Sequence, residues 1–274
     1  MGGGWTGVSL VKGWMMRIRA GLAAGLLVVG ILCWHVARGE PGAASSPLQA
    51  TPTTADAPAK SIHPFGDDPT LRDYRLSFSD EFDGDALDTD VWAYRTGYRA
   101  LSMQVPENVS VSGGFLHLAV KKEDIKSLHY TAAGIISKKE FTYGYYECRF
   151  KIPPGKGWHT SFWTMLNRVK GQTPPRPLAQ EIDICEQDSV DHHKYSAGVI
   201  AWANHKAGLG RKYPHVDVDL SEDFHIWGAE YTPTVVRFFF DGKFTHETDV
   251  SKIVQGAAEH LADDARLSPQ GDGR

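Results

Sequence analysis

Residues 181–186 read Glu-Ile-Asp-Ile-Cys-Glu, a run of three carboxylates interleaved with apolar, β-prone residues. Side chains on a strand alternate between faces, so Glu181 and Asp183 share one face while Ile182 and Ile184 turn to the other. Glu186 has the opposite parity. A single β-bulge between Asp183 and Glu186 restores it, because one extra residue flips every side chain that follows. All three carboxylates then line one surface. Cleavage of a glycosidic bond with retention needs two carboxyl groups about 5–5.5 Å apart, one attacking the anomeric carbon and the other donating and recovering a proton. The plainer alternative is a solvated sheet face over a core, which also alternates acidic and apolar residues.

The elements that must hold this motif read as short strands. Residues 109–111, 115–120, 145–152 and 235–240 alternate in polarity and are bounded by Gly, Pro and Asp, with Asp241-Gly242 closing the last. No long helical period competes with them, and no internal repeat is visible. With 42% hydrophobic and 11% aromatic residues there is ample material for a core. The expectation is an all-β fold, an antiparallel two-sheet β-sandwich.

The hexapeptide resembles the catalytic signature of glycoside hydrolase family 16, in its longer, bulge-containing form. Residues 76–92 (LSFSDEFDGDALDTDVW) resemble that family's opening strand and turn. Residues 107–120 (ENVSVSGGFLHLAV), 134–152 (GIISKKEFTYGYYECRFKI) and 157–165 (GWHTSFWTM) resemble its successive strands, and residues 224–243 (FHIWGAEYTPTVVRFFFDGK) complete the series in order. The resemblance implies a concanavalin-like jelly roll whose concave sheet forms a substrate cleft. It implies a retaining, endo-acting hydrolase of β-linked polysaccharide, with Glu181 as nucleophile and Glu186 as acid/base. Asp183 would adjust how the proton is shared, and the negative charges of Glu181 and Asp183 are expected to raise the proton affinity of Glu186. The mechanism needs neither metal nor cofactor. A transglycosylase would use the same intermediate, and a non-catalytic carbohydrate-binding sandwich would keep the cleft without turnover.

Aromatic rings cover the apolar faces of sugars. Trp158, Trp163 and Trp202 are the candidates, with core packing as the alternative for each, and His159 and His205 are candidates for hydroxyl contacts. Many family members acting on β-1,3-glucan carry a Trp shortly before the first Glu, whereas residues 177–180 here are Pro-Leu-Ala-Gln. The bulged motif also occurs in members acting on agars and carrageenans, so glucan and galactan both stay open. His192 and His193 invite a metal reading beside the carboxylates, but adjacent residues on a strand face opposite ways, and a solvated loop pair is the better expectation.

Around this domain the chain changes character. Arg17 and Arg19 precede an apolar run over residues 20–34, with small residues at 42–44, the order of a secretory signal. Residues 1–39 are therefore read as a signal peptide or, alternatively, a membrane anchor through residues 20–37, outside the fold. The protein is expected to be exported, periplasmic or extracellular. The leading residues up to Trp14 are expected to carry no structure. Residues 40–67, rich in Pro, Ala, Ser and Thr, read as a flexible linker, and residues 68–274 as one sandwich domain. The strand pattern stops after Val250, and residues 260–274 (HLADDARLSPQGDGR) offer only Leu261 and Leu267 as large apolar groups. The sandwich is thus expected to lack C-terminal strands, one of them beside residues 76–82, and to be poorly stable for that reason.

A net charge of −4 and no basic stripe argue against a nucleic-acid partner, leaving a polysaccharide or oligosaccharide substrate and a monomer as the expectation. Cys33 falls in the presumed signal. Cys148 and Cys185 are expected as two buried thiols, with a disulfide as the alternative. Asn108-Val109-Ser110 is a glycosylation sequon.

Overall fold

The structure is a computed structural model describing residues 6–18, 26–32, 74–141, 143–165, 180–201 and 207–251. Its strands, in chain order, begin with β1 (Thr6–Ile18), β2 (Leu26–Leu32), β3 (Arg75–Asp80), β4 (Trp92–Tyr94), β5 (Gly97–Arg99) and β6 (Ser102–Gln104). Next come β7 (Val109–Ser112), β8 (Phe115–Lys121), β9 (Thr131–Ala132), β10 (Gly134–Glu140), β11 (Gly144–Lys151) and β12 (His159–Met165). The last are β13 (Gln180–Asp188), β14 (Ser196–Ala201), β15 (Ala207–Lys212), β16 (His225–Tyr231), β17 (Val235–Phe240) and β18 (Lys243–Asp249).

Two sheets result. One runs β15-β14-β13-β12-β2-β10-β4, and the other β18-β17-β16-β11-β1-β8-β9-β6-β5, with β3 beside β1 and β7 beside β8. Pairing among the described strands is antiparallel apart from a short parallel contact of β6 with β9. The sandwich expected from the alternating runs is therefore the observed fold.

The core lies where the two inner faces meet. On β8 the alternation is strict, and Leu116, Leu118 and Val120 are buried while their neighbours are partly exposed. Phe162 on β12 and Ile182, Ile184 and Cys185 on β13 join Cys148 and Phe150 on β11 and Trp227 on β16 in one cluster. The Phe150 and Trp227 rings stack at 4.1 Å between centroids. Each such aromatic or aliphatic side chain contributes about 1.5–3 kcal/mol through removal from water. Cys148 and Cys185 are free and buried, as expected of thiols that serve as small apolar groups.

The N-terminal segment departs from expectation. Thr6–Ile18 pairs with β11, β8 and β3, and Leu26–Leu32 pairs with β10 and β12, so both lie within the sheets. Residues 6–14 are thus structured, and the position beside Arg75–Asp80, expected for a strand beyond Val250, is taken by β1. A strand inside a covered sheet and the apolar centre of a signal both read as a short continuous apolar run, so periodicity does not separate them. Among the described residues no helix is long and apolar enough to cross a membrane. The linker at 40–67 and the ending at 260–274 lie outside the described residues.

Candidate active site

The bulge that the carboxylate parity demands is present. Across β12, Phe162 opposes Cys185 and Trp163 opposes Asp183, leaving Ile184 as the extra residue. Across β14 the register slips between the same positions, with Asp183 opposite Gly198 and Glu186 opposite Ser196. Ile182, Ile184 and Cys185 all enter the core, so Glu181, Asp183 and Glu186 project together from the other face.

A second bulge faces the first. Between the Ala197–Lys212 and Val199–Leu209 pairs, Gly198 lies opposite both Gly210 and Arg211. Gly210 is left-handed, with φ +61°, a conformation that glycine adopts without strain. A Cβ on Gly198 would sit 2.5 Å from the Arg211 Cα, so β15 approaches only because that position is glycine. The extra residue aims Arg211 inward, where its Nη2 donates to both Asp183 Oδ2 and Glu186 Oε2.

His159 completes the cluster. Its Nδ1 lies 2.7 Å from Asp188 Oδ1 and its Nε2 lies 3.3 Å from Glu186 Oε1. Burial depresses the imidazole pKa, but hydrogen bonds and charge from Asp188 and Glu186 outweigh it and raise the pKa to about 9. Burial pushes the Glu186 carboxyl up, yet His159 and Arg211 together hold it below its ordinary value. Asp183 moves the other way. Burial, then the charges of Glu186 and Glu181, hold its carboxyl well above the usual range against the opposing pull of Arg211. The expected rise at Glu186 is therefore corrected: cations contributed by other strands reverse it, and the raised carboxyl is Asp183.

A cavity of about 470 Å³ opens over this cluster, lined by Arg99, His159, Glu186, Asp188, Ser196, Arg211 and Tyr213. A second cavity of about 280 Å³ shares Glu186, Asp188, Ser196 and Tyr213 with it and is also lined by Lys194 and Val190. Arg95 places its guanidinium 5.1 Å from the Trp163 ring centroid, and burial, then the Arg99 charge, lower its pKa to about 10 against the pull of Glu181.

The sugar-binding candidates divide. Trp158 belongs to the core, its Nε1–H donating to the Pro153 carbonyl at 3.2 Å, which corrects its placement in the cleft. Trp163 sits next to Asp183 across the strand pair but is nearly covered, with Arg95 above it. His159 lines the cavity, with both ring nitrogens directed at the carboxylates of Glu186 and Asp188. Trp202 and His205 lie outside the described residues. The exposed aromatic at the cavity is Tyr213, which sequence reasoning missed. The histidine pair is not simply solvated: the His192 Nε2 is 2.7 Å from the Gly155 carbonyl, and the His193 ring stacks on His215. Asn108 is buried with its amide donating to Thr131 Oγ1 at 2.8 Å, so the sequon is closed to a glycan.

A two-sheet sandwich with carboxylates gathered over a cleft defines a glycosidase scaffold, and comparison with known proteins agrees. Residues 75–262 match the family profile described as "Beta-porphyranase A-D, GH16 domain". The chain belongs to glycoside hydrolase family 16, and is a glycosidase acting on O-glycosyl bonds, of the endo-acting β-glycan hydrolase class. It is 30% identical to a beta-glucanase of Rhodothermus marinus over 198 residues, 68% of this chain and 69% of that protein. It is 32% identical to beta-porphyranase D of Zobellia galactanivorans over 181 residues, 56% of this chain and 42% of that protein. It spans only 39% of a related beta-glucanase of Acetivibrio thermocellus. The laminarinase catalytic domain of Thermotoga maritima aligns with a TM-score of 0.57 at 27% identity, covering 66% of this chain and 79% of that one. Porphyranase B of Zobellia galactanivorans shares the fold, with a TM-score of 0.55 at 23% identity, covering 62% and 72%.

Proposed function

We propose that the chain cleaves a β-linked, anion-bearing galactan of the porphyran type with retention of configuration. Glu181 attacks the anomeric carbon, Glu186 protonates the departing oxygen and then deprotonates water, and Asp183 shares the proton between them. The observation that carries this reading is the single bulge that brings the three carboxylates to one face. The substrate follows from charge. Arg99, Arg211 and an imidazole with pKa about 9 line the cavity against Glu186 and Asp188, a lining that favours an anionic glycan over a neutral one. The match to a porphyranase profile points the same way. Arg211, bonded to Glu186 Oε2 at the cavity wall, is placed to meet an anionic substituent of a sugar bound beside that carboxyl.

The test is release of new reducing ends from porphyran, agarose, laminarin and mixed-linkage glucan, with proton magnetic resonance of the first product. Porphyran is expected to be cleaved fastest, giving a retained anomer. An inverted product removes Glu181 from the nucleophile role, and faster laminarin cleavage removes the anionic substrate.

Export belongs to the same reading, since a polymer of this size is met outside the cell. The apolar run that would direct export also supplies β2, so cleavage near residues 42–44 would take β1 and β2 from the sheets. N-terminal sequencing of the secreted protein decides whether they are retained; a chain found only in the cytoplasm overturns export.

A further inference from the structure

Glu186, read as the acid, must hold a proton, yet the structure surrounds it with cations. Its Oε2 accepts from Arg211, and its Oε1 faces His159 Nε2 at 3.3 Å. The other side of the ring is fixed by Asp188, 2.7 Å from Nδ1. Asp188 follows Glu186 by two residues on β13 and is the cross-strand partner of His159, so both carboxylates reach the ring from one strand. The imidazole is 10% exposed and bracketed by two carboxylates.

We infer that His159, held in place by Asp188, stores the proton that Glu186 uses, carrying it as an imidazolium in the free site and passing it from Nε2 to the Glu186 carboxylate when sugar binds. This rests on Glu186 being the acid/base. As the glycosidic bond breaks, its electron pair stays on the leaving oxygen, which takes the proton from Glu186, while Glu181 forms the new bond to the anomeric carbon. His159 is then neutral, with its remaining proton on Nδ1 donated to Asp188. In the second half, water gives a proton to Glu186 as its oxygen displaces Glu181, and that proton returns to Nε2. His159 is a positioning residue with a proton to lend, acting on the sugar through the acid.

The charged groups around the ring are Glu186 and Asp188 from β13, with Asp183 behind Arg211, Arg211 itself from β15, and Arg99 and Tyr213 across the cavity. With the imidazole held at about 9 and Glu186 below its ordinary value, the pair binds one proton at neutral pH and keeps it on the ring. Two groups this close titrate as a unit, so the alkaline limb of activity belongs to the pair and not to a lone carboxyl.

The experiment is kcat/KM against pH on porphyran for the wild type, His159→Gln and Asp188→Asn, with Glu186→Gln alongside. In His159→Gln the alkaline limb is expected to fall by about one pH unit or more, since Glu186 must then hold its proton alone beside Arg211. Asp188→Asn should shift it the same way by less. A dinitrophenyl leaving group, which departs without a proton, should restore much of the lost rate in His159→Gln. An alkaline limb that stays in place or rises in His159→Gln means the ring is only a positive neighbour, and overturns the inference. Full turnover by Glu186→Gln on the polysaccharide refutes the assignment of the acid instead. Where His159→Gln fails to fold or porphyran is not cleaved, nitrogen magnetic resonance of the intact protein reads the ring directly. A His159 titrating near 9, and lower in Asp188→Asn, supports the store, while titration near the ordinary value of 6.5 removes it.

Discussion

Two buried carboxylate clusters sit on opposite sheets and are built differently. On the β16–β17 side, Glu230 accepts from the Tyr74 hydroxyl at 2.7 Å and from Arg237 Nη1 at 3.1 Å, and Arg237 Nε reaches on to Glu247 at 3.2 Å. Each Glu230 oxygen has its own donor. On β13, Asp183 and Glu186 share the one guanidinium of Arg211, with Glu181 close enough to push the Asp183 carboxyl up. The first cluster is complete, and losing a member leaves a buried charge without compensation. In the second, two carboxylates share one guanidinium and the Asp183 carboxyl is pushed well above its usual range, so a proton has more than one place to sit, as chemistry needs. Burial alone does not separate structure from function here. The balance of donors and acceptors does.

The largest test of this contrast is deletion on each side. Glu181→Ala or Glu186→Ala should lower turnover by roughly a thousandfold or more while the unfolding curve hardly moves. Glu230→Ala should do the reverse, keeping turnover per folded molecule and losing about 1–3 kcal/mol of stability in denaturant titration, as the Tyr74 hydroxyl loses its Glu230 acceptor. Loss of activity in a folded Glu230→Ala protein would join the two clusters and break the comparison. Asp183→Asn comes next, with an expected loss of about ten- to a hundredfold in kcat, smaller than for either Glu, because it adjusts the proton and forms no bond to sugar.

Tyr213→Ala separates recognition from packing within the cleft. The residue is 60% exposed at the cavity, so oligosaccharide affinity should fall about five- to thirtyfold with no change in melting temperature. Isothermal titration beside thermal melts checks it, and a lowered melting temperature would make the ring a packing element.

The smallest effect is on stability against pH. His159 is raised above its ordinary value, so its stabilising contribution is full below about pH 6.5 and lost as pH climbs through about 9. Asp188 is held below its ordinary value, chiefly by the hydrogen bond from His159, so its contribution is present above about pH 4 and lost on acidification. Melting temperature should therefore decline gently from neutral to alkaline pH. That slope should flatten in His159→Gln and survive in Glu230→Gln.

Much of this was legible in the chain itself. Two-residue alternation in the strands determined the sandwich, and the wrong parity of Glu186 in Glu-Ile-Asp-Ile-Cys-Glu required the bulge, because parity is a local property of a strand. Asp188 was readable on the same ground, two residues beyond Glu186 on its face, though nothing marked its partner. What the tertiary structure alone decided is who stands opposite. Arg211 lies 28 residues from Asp183 and 25 from Glu186, and reaches them through a bulge at Gly210 that no carboxylate spacing announces. Trp158 and Trp163, in one short segment, part company at the strand entry, one into the core and one toward the cleft under Arg95. Leu26–Leu32, within the apolar N-terminal run, pairs in the sheets; a short apolar stretch suits a central strand as well as a signal, so the sequence pattern could not announce those partners. Charge state follows the same logic. Carboxylate spacing along β13 implied a raised Glu186, but cations brought from β12 and β15 place the higher proton affinity on Asp183, since electrostatics acts through space and the sequence orders only the chain.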